Sequence, residues 1–186
     1  LTSKNPWETK EGKVIWKTEA TYWTWLRGAL RKLWCDYPLR QQWKKNSLRP
    51  VTKEERIAKK YHPSTKNVGQ CSMCGEWMAG SKLECDHKIE SKGCTSRETA
   101  ESFLWHCGGL VGDDFRLACK PCHKIQSYSQ KQGITFEEAT IQKEAIEILK
   151  DSKKCLTWFK ERSILYPSNA KLRREAIIKY LEENNK

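Results

Sequence analysis

The chain has 186 residues, with 35 Lys and Arg against 23 Asp and Glu, which leaves a net charge of +12. No apolar run approaches the roughly 20 residues of a membrane-spanning helix, and the polar start LTSKNPWETK has no apolar signal core, so the composition excludes an integral membrane protein and points to an intracellular one. Nine Trp argue against a disordered tail, and nine Cys, an odd number, argue for metal ligation over a disulfide framework. A basic surplus of this size calls for a polyanionic partner, nucleic acid before an anionic membrane surface.

The charge is uneven: residues 1–66 carry +10, residues 67–124 carry −1 and residues 125–186 carry +3. Six of the nine Trp also fall in the first 66 residues. From Glu19 to Trp34, the apolar residues Trp23, Leu26, Leu30, Leu33 and Trp34 recur at intervals that predict one helical face, with Arg27, Arg31 and Lys32 on the others. Asp36-Tyr37-Pro38 predicts a turn. A basic stretch follows from Arg40 to Lys60, helical over 52–60, with Thr52 as N-cap and Glu55 three residues on. The segment from His62 to Asn67 reads as a linker.

The middle of the chain, rich in Cys and Gly, is expected to form loops and a hairpin without a long helix. Beyond it the chain is expected to be helical. Thr135 caps one helix with Glu138 at N3, continued by Ala139, Ile146 and Leu149; Ser168 opens a last helix through Leu172, Ala176, Ile177, Tyr180 and Leu181.

Two Cys-x-x-Cys pairs, Cys71/Cys74 and Cys119/Cys122, are separated by 44 intervening residues. Four thiolates at such spacing can surround one tetrahedral Zn²⁺, and Gly75 suits the turn of a zinc knuckle. Between them, a strand-like run from Leu83 to Ile89 holds Asp86 next to His87, and His123 follows the second pair. Cys94, Cys107 and His106 lie in the intervening stretch, where a second metal site and ordinary packing are both open readings.

The combination Cys71/Cys74, Asp86-His87, Asp114, Cys119/Cys122, His123 resembles the HNH nuclease family over residues 68–130 or so. The resemblance implies an α+β fold: a zinc-stapled ββα-metal core at 67–132, a basic Trp-rich helical DNA-binding region at 1–66 and a helical region at 133–186. It implies hydrolysis of phosphodiester bonds in double-stranded DNA. His87 would activate the water, while Asp86 and His123 would hold a catalytic divalent ion, Mg²⁺ or another such as Mn²⁺, separate from the structural Zn²⁺. Asp114 stands where the family has Asn; a carboxylate accepts the same backbone hydrogen bonds but cannot donate as an amide does. Length and basic flanks resemble phage-type or mobile-element homing enzymes, and a restriction endonuclease fits nearly as well. Arg27, Arg31, Lys32, Arg40, Lys44, Lys45, Arg49, Arg173 and Arg174 are the candidate DNA contacts, since each cation that reaches a phosphate releases counterions. The competing reading is a non-catalytic zinc module that binds nucleic acid or acts as a regulator, in which Asp86, His87 and His123 are incidental.

Overall fold

The computed structural model describes residues 4–184. The chain mixes helices with two small antiparallel sheets and forms two compact units, divided between Lys120 and Pro121. This division does not follow the change in composition near residue 66, which falls inside the first unit.

In the first unit, α1 (Lys10–Trp16) leads into α2 (Glu19–Asp36), whose N-terminus is capped by the Thr18 hydroxyl accepting from the Thr21 amide at 3.2 Å. Four of the five predicted stripe residues form the packed face of α2, and the fifth, Leu33, is exposed. Trp23 is buried with Phe103, Cys94 and Cys107, while Leu26, Leu30 and Trp34 flank them. The polar edge of Trp23 is also satisfied, because its Nε1 donates to Glu19 Oε1 at 2.9 Å. The helix stops where Pro38 excludes its predecessor from helical geometry: Tyr37 is extended, with ψ of 114°, and Pro38 starts α3 (Pro38–Asn46). The expected turn is therefore a single residue between two helices.

Next come β1 (Arg49–Pro50), the short helix α4 (Lys53–Ile57), β2 (Asn67–Gln70) and β3 (Trp77–Ala79), whose strands form an antiparallel sheet in the order β1-β2-β3. Thr52 caps α4 as the sequence predicts. Its hydroxyl accepts from the Glu55 amide, and Glu55 reaches back to the Thr52 amide. The helix ends at Ile57, short of the expected Lys60. A second sheet pairs β4 (Leu83–His87) with β5 (Phe115–Cys119), antiparallel, with Asp86 opposite Arg116 and His87 opposite Phe115. At Gly69 of β2, a Cβ would come within 2.7–2.9 Å of Leu48, Leu83 and Leu117, so the absence of a side chain lets the two sheets close on one apolar layer.

One expectation for the middle of the chain is corrected. A 12-residue helix, α5 (Arg97–Gly108), lies between β4 and β5. Its buried positions are Phe103 and Cys107, whereas its neighbours Leu104 and Trp105 are exposed. Three consecutive apolar residues hid the four-residue spacing.

The second unit is helical: most of α6 (Lys120–Gln132), then α7 (Phe136–Leu149), α8 (Ser152–Glu161) and α9 (Ala170–Asn184). Ala145, Cys155, Trp158, Phe159, Ile177 and Leu181 form its buried core. Thr135 and Glu138 make the predicted reciprocal cap at 3.1 and 2.8 Å. The last helix opens one residue later than expected, with Asn169 Oδ1 accepting from the Leu172 amide at 2.9 Å. Among the described residues, no helix is long and apolar enough to cross a membrane.

Candidate metal centre and active site

The sulfur atoms of Cys71, Cys74, Cys119 and Cys122 all lie within 4.8 Å of one another. Local backbone chemistry builds the first pair. Gly75 takes φ of +72°, a conformation costly for a side-chain-bearing residue, and its amide donates to the Cys71 carbonyl at 2.9 Å. Ser72 ties this turn to β5, its amide and hydroxyl both donating to the Leu117 carbonyl at 2.9 Å. The second pair lies where β5 passes into the first turn of α6. Burial alone would raise the Cys71 thiol, but amides of Cys74, Cys119 and Met73 and the Cys74 side chain outweigh it and bring the thiol down to about 6. The Cys119 amide donates to Cys71 Sγ at 3.3 Å. A tetrahedral ion with ~2.3 Å bonds to sulfur would set the sulfurs roughly 3.8 Å apart. The cluster could therefore hold an ion such as zinc.

The strand β4 delivers the other candidate residues. Side chains alternate along it, so Leu83, Cys85 and His87 share one face while Glu84 and Asp86 share the other. The His87 ring lies between Trp34 and His106, with both ring centroids 3.8 Å away. Phe115 closes the group, its ring centroid 6.0 Å from that of His87 and 5.4 Å from that of Trp34. His87 Nε2 is buried with no hydrogen-bond partner among the described residues. Burial, helped by the neighbouring His106, holds the imidazole down to about 4, so it is neutral at physiological pH; His106 is lowered too, again by burial.

On the opposite face, Asp86 pairs across the strands with Arg116. Its Oδ2 accepts from Nε at 2.9 Å and lies 2.9 Å from Nη2. Asp114 fastens the loop before β5 by two bonds: its carboxylate accepts from the Val111 amide at 2.9 Å, and its carbonyl accepts from the Lys88 amide at 2.8 Å. That is the backbone-holding role open to either Asp or Asn. His123 follows Cys122 in α6, and its carbonyl accepts from the Ser127 hydroxyl. Among the described residues, the four cysteines are the one group of three or more His, Cys, Asp or Glu gathered closely enough for an ion. Cys94 and Cys107 instead pack beside Trp23 and Phe103, and burial raises both thiols.

The basic candidates divide into two sets. Arg31, Lys32 and Lys45 are exposed, and Arg27 is half-buried beside Trp23 and Cys94. The others have partners within the protein. Arg40 lies over Trp34 at 4.7 Å, Lys44 donates to the Leu83 carbonyl at 2.7 Å, and Arg49 forms a two-pronged pair with Glu55 while lying over Trp77. Arg173 donates to the Pro167 carbonyl, and Arg174 to Tyr128 and Gln142.

Sequence reasoning missed Arg116 as the partner of Asp86, and it named Trp34 and His106 without placing either against His87. Trp34 was legible only as part of the α2 stripe, and nothing local to residue 34 marks residue 87 as its neighbour. The Asp86–Arg116 pair was accessible in principle, because opposite charges at paired positions follow once the strand register is known.

The chain matches no protein-family model, no curated protein and no solved structure.

Proposed function

We propose that this chain is a metal-dependent DNA endonuclease of the HNH type, hydrolysing phosphodiester bonds of double-stranded DNA with His87 as general base. One observation carries the reading: Asp86-His87 ends a strand paired in register with β5, and β5 runs directly into the helix bearing Cys122 and His123. The residues that the resemblance assigns thus fall on β4, on the loop before β5 and on α6, with α5 inserted between the two paired strands. The cluster is read as a structural zinc site, since four thiolates leave no open position for substrate. A neutral His87 imidazole can accept a proton from the attacking water. The catalytic divalent ion, Mg²⁺ or Mn²⁺ on Asp86 and His123, enters on the resemblance alone and would, when bound, stabilise charge on the scissile phosphate. Site-specific cutting, as in homing or restriction enzymes, belongs to the same proposal.

The test is cleavage of supercoiled plasmid by the zinc-loaded 186-residue chain with and without added Mg²⁺ or Mn²⁺. Nicked or linear product that depends on the added ion and on His87 supports the nuclease.

A second reading has its own support. Asp86 is engaged by Arg116, and Nε2 of His87 is sealed from solvent, as in a non-catalytic zinc module that binds nucleic acid. Tight, salt-sensitive DNA binding with no cleavage under any divalent ion would favour that module.

A further inference from the structure

The loop that follows α4 borders an open surface cavity of about 550 Å³ lined by Val51, Arg56, Lys59, Lys60, Tyr61 and His62, among others. Three cations and an imidazole line it, Arg56 also donating to the Thr65 carbonyl, and among the described residues no acidic side chain does. The nearest carboxylate of note, Glu55, is already held by Arg49 at 2.8 and 2.9 Å, which leaves Lys60 at the edge of its reach, 3.9 Å away. The helix end does not oppose an anion here, because the Lys59 and Lys60 amides cap the Arg56 and Glu55 carbonyls at 3.1 and 3.0 Å. The Tyr61 hydroxyl is buried, and its ring is what the wall presents, with Lys60 Nζ 5.6 Å from the ring centre.

The backbone gives an independent sign. Lys59 adopts φ of +50°, the left-handed conformation that ends many helices and that Gly adopts without steric cost. A lysine held there keeps a cation at the cavity wall despite backbone strain, and such strained positions concentrate at functional sites.

We propose that this cavity is a phosphate-binding site that seats one backbone phosphate of duplex DNA, with Arg56, Lys59 and Lys60 as its cationic walls. The assignment to DNA rests on the nucleic-acid reading above, whereas the phosphate chemistry rests on the cavity alone.

The experiment uses the 186-residue chain in Ca²⁺, so that binding is read apart from cleavage. Fluorescence anisotropy with a labelled 30-base-pair duplex is followed through a NaCl series for the parent, Lys59→Gly and Arg56→Ala/Lys60→Ala. Each lost phosphate contact should lower the slope of log affinity against log salt by ~0.9, which is about a fivefold loss at 0.15 M salt. Lys59→Gly is the decisive variant. It relieves the strained backbone, so its melting temperature should hold or rise while its affinity and salt slope fall. A merely structural Lys59 would show the melting change without the loss of binding. Inorganic phosphate, titrated calorimetrically into the parent and both variants, separates the sources. Sub-millimolar binding that the variants abolish, with duplex affinity unchanged, would keep the phosphate site and overturn its assignment to DNA. Parent-like duplex affinity and salt slope in both variants, with no phosphate binding, would overturn the proposal. A parent that shows these binding effects but cuts no DNA in Mg²⁺ or Mn²⁺ would count against the nuclease and not against the cavity.

Discussion

His87 is wedged between Trp34 and His106, and the physical consequence is a neutral imidazole with a folded pKa of about 4. The unfolded value is near 6.5, so between these two values the unfolded chain binds the extra proton. Stability therefore rises with pH across this window and falls as pH drops from about 6.5 towards about 4. His106, also lowered, adds in the same direction. Replacing His87 by Gln, which does not titrate, should flatten the dependence of the denaturation midpoint on pH between 4.5 and 7; a variant whose pH dependence runs parallel to the parent would show that His87 is not the buried proton acceptor. Asp86 gives a second residue-scale expectation. Because Arg116 is three-quarters or more covered, removing the carboxylate outright would leave a buried charge unpaired. Asp86→Asn keeps an oxygen for Arg116, so it should retain zinc and fold while losing cleavage. Elemental analysis showing loss of zinc in Asp86→Asn would place this residue in the structural site.

At the scale of elements, the four cysteines join the turn between β2 and β3 to the junction of β5 and α6. Structural zinc supplies ~10–16 kcal/mol of apparent binding energy in small zinc fingers, more than the ~5–15 kcal/mol net stability of a typical domain. Cys71→Ser and Cys122→Ser should each lose zinc and the cooperative melt of this region, as circular dichroism and metal analysis would report; a native melt without zinc would show that apolar packing alone suffices. Elsewhere the packing is ordinary. Phe103 is 5% exposed between α5 and α2, so Phe103→Ala should cost ~3–5 kcal/mol in urea denaturation.

What was legible at this scale follows from how local each signal is. Thr52 with Glu55 and Thr135 with Glu138 announce helix starts because both halves of a capping box lie within four residues. The α2 stripe was legible because one apolar face meets one core, although Leu33 at its margin is exposed. The helix α5 was not, since Leu104 and Trp105 sit exposed beside buried Phe103. The cysteine spacing foretold the cluster, because two short turns suffice to present four sulfurs. The stack on His87 was invisible, because it depends on α2 and α5 both returning to β4 over separations that no local pattern encodes.

At the scale of the whole molecule, the surplus of positive charge lies where the candidate chemistry does not. Residues 1–66 carry +10 and residues 67–124 carry −1. This basic segment is no detachable tail. Trp34 packs on His87, Trp43 lies 5.7 Å from Phe115, and Lys44 bonds to the Leu83 carbonyl. Truncation near residue 65 would therefore strip the centre of its packing as well as its charge, and point substitutions are the cleaner probe. Arg31, Lys32 and Lys45 are exposed, so changing all three to Ala should leave the fold intact and weaken duplex binding. If all three reach phosphates, the salt slope falls by up to ~2.7 at ~0.9 per contact. An unchanged slope would make them a solvated face.

If His87 is the general base of a DNA nuclease, cleavage must depend on it. The most direct measurement is the rate of plasmid cleavage by parent and His87→Ala, matched for zinc content and duplex affinity, in Mg²⁺ and in Mn²⁺. The account predicts ion-dependent cleavage by the parent and a loss of ~10²–10⁴-fold in the variant with binding unchanged. Equal cleavage by the two proteins, or a zinc-loaded parent that binds duplex DNA and never cuts it, would contradict it.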